Sequence, residues 1–355
     1  MNNINLDENG IYRQNDPANM LARIKELPMQ CRQAWQKVMD FNLPSDYADV
    51  DKVIILGMGG SAIGGDLVRS LALAEAGIPI IVHRDYGLPS FVDERTLVIA
   101  SSYSGNTEET LSGFEPSLKT RAKKLVMTTG GKLGELARAS NLPVYKIDYK
   151  AQPRAALGFS FLPTLGVLQK LGLIRDKSAD VDETVQVLEK LSANLDEKSP
   201  LAGNHAKQLA QRLYGRLPVI YGAGILAEAA HRWKTQINEN GKAWAFYEVF
   251  PELNHNATVG YPFPPEVVKQ VHVVLLRSPL FNERVRLRYG VTCDLLERAG
   301  AAYEYVDSVG ESPLSQMMST VMMGDFTSYY LAILYKVDPS PVEVINYLKD
   351  QLAKG

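Results

Sequence analysis

Short, almost wholly apolar runs separated by amphipathic stretches recur along this chain, and they come in two series. VIIL from Val53, IPIIVH from Ile78, TLVIA from Thr96, KLVMTT from Lys124 and LPVYKI from Leu142 form the first. LPVIYGAG from Leu217, KAWAF from Lys242, VHVVLLRS from Val271 and AAYEYV from Ala301 form the second. Near-continuous apolar strands alternating with helices indicate a parallel sheet covered on both faces, so each series predicts one α/β layer structure.

The two series also begin alike. VIILGMGGSA, from Val53, aligns with VIYGAGILAE, from Val219, and superimposes a strand, a glycine turn and a helix start about 166 residues apart. A repeat of that length means paired domains, since solenoid units run about 20 to 50 residues. A chain of 355 residues with 46% hydrophobic residues has material for two cores. The expected division is a helical arm over 1–42, a first domain over 43–174, a connecting helix over 175–204, a second domain over 205–338 and a C-terminal helix over 339–355. Leu21, Ile24, Leu27, Trp35, Val38 and Met39 give the arm its helical spacing, and Pro28 interrupts it. A helix is expected from Ala155 to Leu171, with Pro163 inside it.

Charge and cysteine usage remove whole classes of function. Lys plus Arg total 38 against 40 for Asp plus Glu, a net charge of -2, which offers no footprint for nucleic acid or an anionic membrane. Cys31 and Cys293 stand far apart with no CxxC or His-rich context, so they read as packed, reduced thiols. His83, His205, His231 and His272 show no metal-ligand spacing and read as structural. The polar N-terminal stretch lacks the apolar centre of a signal peptide, and no run reaches about 18 apolar residues, so a cytoplasmic protein is expected.

Directly after the TLVIA strand lies SSYSGNTEET, residues 101–110, where a buried strand turns into a helix. Short hydroxyl donors and free backbone N–H groups at a helix N-terminus suit a phosphate monoester. The plainer alternative is that these residues cap a helix beginning near Asn106, with Glu108 and Glu109 answering its dipole. In GMGGSAIGGD, Gly57, Gly59 and Ala62 also match the GxGxxA dinucleotide fingerprint, and Asp85 lies 23 residues beyond Ala62, where a ribose-binding acid could sit. Against a dinucleotide stands the second donor loop. Gly59, Gly60 and Ser61 after one strand, with Ser102, Ser104 and Thr107 after another, can converge on one phosphate. The second series has Arg277, Ser278, Pro279 and Leu280 at the matching place, so only the first keeps a complete phosphate site.

With the motifs GMGGSAIGGD, SYSGNTEET, PRAALGFS, NENGKAWA, FPELNHN and VDPSPVEVINYLK in this order, the chain resembles the bifunctional phosphoglucose/phosphomannose isomerases of the sugar isomerase (SIS) superfamily across nearly its full length. The resemblance implies two tandem SIS domains, each a flavodoxin-like parallel sheet in an α/β/α sandwich. It implies reversible aldose–ketose isomerisation of hexose 6-phosphates, with no cofactor and no metal. Gly59, Gly60, Ser61, Ser102, Ser104 and Thr107 would hold the phosphate. Arg154 would lie beside the C1 and C2 oxygens, Glu239 would be the base, and His255 would open the sugar ring from the neighbouring subunit of a homodimer. Lys349 falls where a C-terminal lysine of the family contributes to ring opening.

Each of these residues has a plainer reading. Glu239 ends a helix whose Leu226, Ala230, Trp233 and Ile237 form an apolar stripe, with Asn240 and Gly241 as its cap, so it could be a solvated glutamate. A carboxylate there meets the negative end of the helix dipole, a tension that a base would tolerate. His255 sits in a polar loop where Asn254 and Asn256 could fix its tautomer. Arg154 could pair with Asp148, and Lys349 could lie in water on an amphipathic helix. The apolar arm and the Trp233 helix are the expected dimer contacts. A phosphosugar-sensing SIS protein without catalysis, and an isomerase of another sugar phosphate, stay open as alternatives.

Overall fold

The computed structural model describes residues 4–8, 10–352 and 354. In chain order, α1 (Gly10–Asn15), α2 (Met20–Lys25) and α3 (Leu27–Met39) come first. The first strand–helix series follows: β1 (Lys52–Leu56), α4 (Gly59–Ala72), β2 (Ile80–His83), β3 (Thr96–Ser101), α5 (Glu108–Ser117), β4 (Lys123–Thr128), α6 (Gly131–Ala139) and β5 (Val144–Lys146). Three helices come next: α7 (Leu157–Lys170), α8 (Ser178–Leu195) and α9 (His205–Leu213). The second series is β6 (Leu217–Ala223), α10 (Ala227–Glu239), β7 (Phe246–Phe250), α11 (Pro265–Val268), β8 (Val271–Arg277), α12 (Glu283–Ala299) and β9 (Ala302–Asp307). α13 (Pro313–Tyr335) and α14 (Glu343–Leu352) close the chain. Two compact units result: Glu26–Glu189 with Val309–Met318, and Met1–Lys25 with Lys190–Ser308 and Ser319–Gly355.

The first of these units holds a five-stranded parallel sheet in the order β2-β1-β3-β4-β5. Val53 of β1 is in register with Ile80 of β2 and with Leu97 of β3. β3 is buried at every position, as a central strand covered on both faces must be. Side chains alternate across the pleat. Ile54, Leu56, Val98, Ala100 and Val126 join Phe114 of α5 and Leu133 of α6 in one core cluster. Ile55 points the other way, where a Cβ added to Gly65 of α4 would come within 3.1 Å of it.

The arm helix α3 belongs to this unit and packs on α7 at two glycines. A Cβ on Gly158 would stand 2.6 Å from that of Gln30, and one on Gly166 would stand 2.3 Å from Val38. Leu27, Ala34, Trp35 and Val38 of α3 are buried inside this unit. Burial pushes the Cys31 thiol, in the same helix, up to about 12.

The other unit holds a four-stranded parallel sheet, β7-β6-β8-β9, with the same arrangement about its first strand. The glycine turns match in conformation: Gly59 has φ +49° and Gly224 has φ +48°. The expected KAWAF strand lies later than its apolar residues suggested, at Phe246–Phe250, because Lys242 adopts a left-handed φ of +52° and turns the chain first. β7 is an edge strand whose first three residues are exposed, so burial imposes no strict pattern on it. α13 is buried almost all round. No helix among the described residues is long and apolar enough to cross a membrane.

Gly166→Val should overpack the α3–α7 contact and cost about 1–3 kcal/mol, read as a lowered urea midpoint of the unit carrying the five-stranded sheet.

Candidate active site

In the five-stranded unit, two of the strands that run side by side, β1 and β3, end in the two donor loops anticipated from sequence. Gly57 allows the loops to meet, since a Cβ there would lie 3.0 Å from the Ser101 carbonyl oxygen. The loops are joined by a bond between them: the Tyr103 N–H donates to Ser61 Oγ at 3.2 Å. Within the second loop the Ser102 and Thr107 hydroxyls lie 2.8 Å apart, and the Gly105 N–H donates to Ser102 Oγ at 3.1 Å. Ser61 and Ser102 are buried, while Ser104 is exposed and accepts from the Asn106 N–H at 3.2 Å.

The capping alternative meets a specific observation. α5 begins at Glu108, two residues after Asn106, and its N-cap Thr107 makes no side-chain cap bond. Met58, the N-cap of α4, makes none either. Both helices therefore begin at the carboxyl edge of the sheet without a side chain closing their first turn, the arrangement that favours an anion.

Sequence reasoning missed a third loop that braces the second. Gly105, at φ +72°, sits so close to Gly130 that a Cβ would fall 1.8 Å from its carbonyl oxygen. Thr129 bonds the Tyr103 carbonyl through both its N–H (3.1 Å) and its hydroxyl (2.8 Å), and Asn106 Oδ1 accepts from the Lys132 N–H at 2.9 Å. The TTGGK run of residues 128–132 was the available signal.

Arg154 lies in a short 3-10 turn, Pro153–Ala155, ahead of α7, which starts at Leu157 and not at Ala155. Gly60 receives this turn: a Cβ there would stand 3.0 Å from the Pro153 carbonyl oxygen and 3.3 Å from the Arg154 nitrogen. Gln30 holds its far side, donating to the Ala155 carbonyl at 2.8 Å and accepting from the Gly158 N–H at 3.2 Å. Arg154 is 4% exposed. Asp148, its expected alternative partner, is bonded by Lys37 at 2.7 Å and by Lys146 at 3.1 Å. The structure thus brings Gly59, Gly60, Ser61, Ser102, Thr107 and the Arg154 turn to one end of one sheet.

Glu239, Lys349 and His255 belong to the other unit. Glu239 is the last residue of α10 and is half-buried. That helix is fixed to α13: the Trp233 indole donates to the Thr320 carbonyl at 2.8 Å, and Asn240 donates to Ser328 at 3.1 Å. Between them Arg232 and Gln236 both bond Asp325, at 3.0 and 2.8 Å. Burial pushes the Asp325 carboxyl up from its ordinary value, and the Arg232 guanidinium opposes that shift. Trp233 is fully buried here, so the helix face that sequence suggested for dimer contact is already covered. Gly241 does not supply the left-handed residue after the helix; Lys242 does.

His255 ends the 3-10 turn Glu252–His255 and is exposed. Its asparagine neighbours do not fix its tautomer. Asn254 donates to Thr292 at 2.9 Å and accepts from Arg288 at 3.3 Å, and Asn256 donates to Glu252 at 3.0 Å. Lys349 stands exposed on α14, none of whose described side chains is buried.

The model of the bacterial phospho-glucose isomerase C-terminal SIS domain matches residues 202–352. A bifunctional phosphoglucose/phosphomannose isomerase of Caldicellulosiruptor bescii is 43% identical over 336 residues, 94% of this chain and 99% of that protein. The chain belongs to the bifunctional phosphoglucose/phosphomannose isomerase family. A second member, from Aquifex aeolicus, is 36% identical over 314 residues, 88% of this chain and 94% of its own. Among solved structures, a hypothetical protein of Thermus thermophilus superimposes with a TM-score of 0.69 at 18% identity, covering 95% of this chain and 91% of that one. The two parallel sheets are those of tandem SIS domains.

Ser102→Ala removes the hydroxyl that meets both Thr107 and the Gly105 N–H, and should cost about 1–3 kcal/mol, measured by urea titration.

Proposed function

We propose that this chain acts as a cytoplasmic homodimer that interconverts glucose 6-phosphate and mannose 6-phosphate with fructose 6-phosphate, through a cis-enediolate and without a cofactor. The observation that carries the reading is the Ser61–Tyr103 bond, which joins two uncapped helix starts into one cradle in a chain 43% identical to an enzyme of that name. In this reading Gly59, Gly60, Ser61, Ser102, Ser104 and Thr107 hold the phosphate, and the sugar's other end reacts.

His255, with Lys349, moves the O1 proton to O5 and opens the ring. Glu239 takes the C2 proton, and the electron pair left behind forms the C1–C2 double bond as charge passes to O1. Arg154, whose guanidinium stays charged at every working pH, stabilises that oxygen. Glu239 returns the proton to C1 while the O2 proton passes to O1, which leaves the ketose. Because the planar enediolate has lost the C2 configuration, one base on one face serves both epimers provided that the C2–C3 bond rotates in the site.

Val259 and Phe263, just after His255, are 81% and 77% exposed, large apolar side chains on the surface of the loop that carries it. This supports a His255 loop that enters the site of a second copy.

Glu239→Gln should lower kcat for both aldoses by about 10²- to 10⁴-fold, with KM within about threefold of the parent. Retained turnover of either aldose would remove Glu239 from the role. Mixing Glu239→Gln with His255→Ala protein, each nearly inactive alone, should restore part of the activity through hybrid dimers. Proven hybrids without recovery would contradict a shared site.

A further inference from the structure

Lys242 stands just beyond α10 with a left-handed φ of +52°, a conformation in which glycine is the residue usually found. A glycine lies next to it, but at the wrong position for that purpose. Gly241 is kept small for another reason: a Cβ there would stand 2.8 Å from the Ile237 carbonyl oxygen. Some benefit from the lysine side chain must offset the unfavourable backbone.

Its ammonium supplies that benefit. Lys242 Nζ donates to three carbonyl oxygens: Glu239 at 2.5 Å, Pro339 at 3.2 Å and Pro341 at 2.5 Å. An ammonium has three donors, and here each one meets an acceptor. The Glu239 carbonyl is among the last of its helix, where no intrahelical N–H follows to meet it, and a cation beside it also favours the dipole. Pro339 and Pro341 belong to the segment just before α14, where the Ser340 N–H donates to Asp338 at 2.8 Å. Pro341 lies two residues ahead of Glu343, with which α14 begins.

α14 has little else of its own to fix its direction. None of its described side chains is buried, and Val344 and Tyr347 are 82% and 66% exposed. The place of Lys349 along this helix therefore depends on how its first turn is held.

We propose that Lys242 is a positioning residue that ties the start of α14 to the end of α10 and so sets Lys349 for ring opening. For its catalytic consequence this rests on the role given to Lys349 above; the tie itself does not.

Lys242→Met keeps the aliphatic stem and removes the donors, while Lys242→Arg keeps the charge. Because Lys242 is exposed, both should fold, which a thermal melt checks. In the full chain, Lys242→Met should speed amide exchange over residues 343–352 while the middle of α10 keeps its protection. It should lower kcat about 10- to 100-fold with the KM for fructose 6-phosphate within about twofold, and Lys242→Arg should recover most of that loss. The double variant Lys242→Met/Lys349→Met should be no slower than the slower single variant, because both changes remove one function.

Unchanged exchange in α14 would overturn the tie. Multiplying losses in the double variant, or full turnover in Lys349→Met beside a slowed Lys242→Met, would overturn the link to Lys349. Failure of the isomerase reading itself would show separately, as no turnover of fructose 6-phosphate by the parent chain, and leaves the exchange result to be judged alone.

Discussion

Gly60 carries no side chain because another stretch of backbone occupies the space. The Pro153 carbonyl oxygen lies 3.0 Å, and the Arg154 nitrogen 3.3 Å, from where a Cβ would be. That close approach seats a fully charged guanidinium residue beside the first glycine loop, and the Ser61–Tyr103 bond seats the second loop beside the same place. Three segments distant in sequence are thus positioned mainly by backbone, which keeps a donor array more rigid than long side chains would. The supporting residues extend the same logic outwards. Gln30, from a helix near the N-terminus, grips the Arg154 turn on its other side, and the Thr128–Gly131 loop braces the serine loop from below.

Much of this was legible because strands and glycine turns are local signals. The first five apolar runs coincide with β1 to β5, and the turn glycines fall where their conformation is needed. What was not legible depends on partners far away in the chain. The KAWAF segment was misplaced because an edge strand carries no burial pattern to read. Asn254 and Asn256 flank His255 in sequence, yet Thr292, Arg288 and Glu252 engage them in space. Trp233 is covered by α13, and α3 packs on α7, partners that sequence spacing does not reveal.

The two sheets are alike in topology and then diverge. The strand order about the first strand and the left-handed glycine after it are retained in each. After the third strand they part. One copy offers hydroxyls and an uncapped helix start; the other places Arg277, whose guanidinium bonds Asp307 at 2.6 and 2.7 Å and lies 3.9 Å from the Tyr305 ring centroid. A carboxylate of the protein itself thus answers the cation in the second copy. Its α10 also lacks any glycine–serine run at the start and carries the glutamate at its other end. In the proposed function, the first sheet carries the anion site and the second the base.

A carboxylate at a helix C-terminus faces exposed carbonyls, an arrangement worth roughly 0.3–1 kcal/mol of destabilisation. Two features of this chain bear on that cost. The inner face of α10 is locked by the Trp233, Gln236 and Asn240 bonds to α13, so the helix end cannot relax by fraying. Lys242 then places a positive charge against the carbonyl of Glu239 itself. That contact eases the dipole through the backbone oxygen. A glycine in the same left-handed position would satisfy the backbone better and provide neither the charge nor the link to Pro339 and Pro341. The conformational cost at Lys242 is therefore best understood through the helix end that it serves.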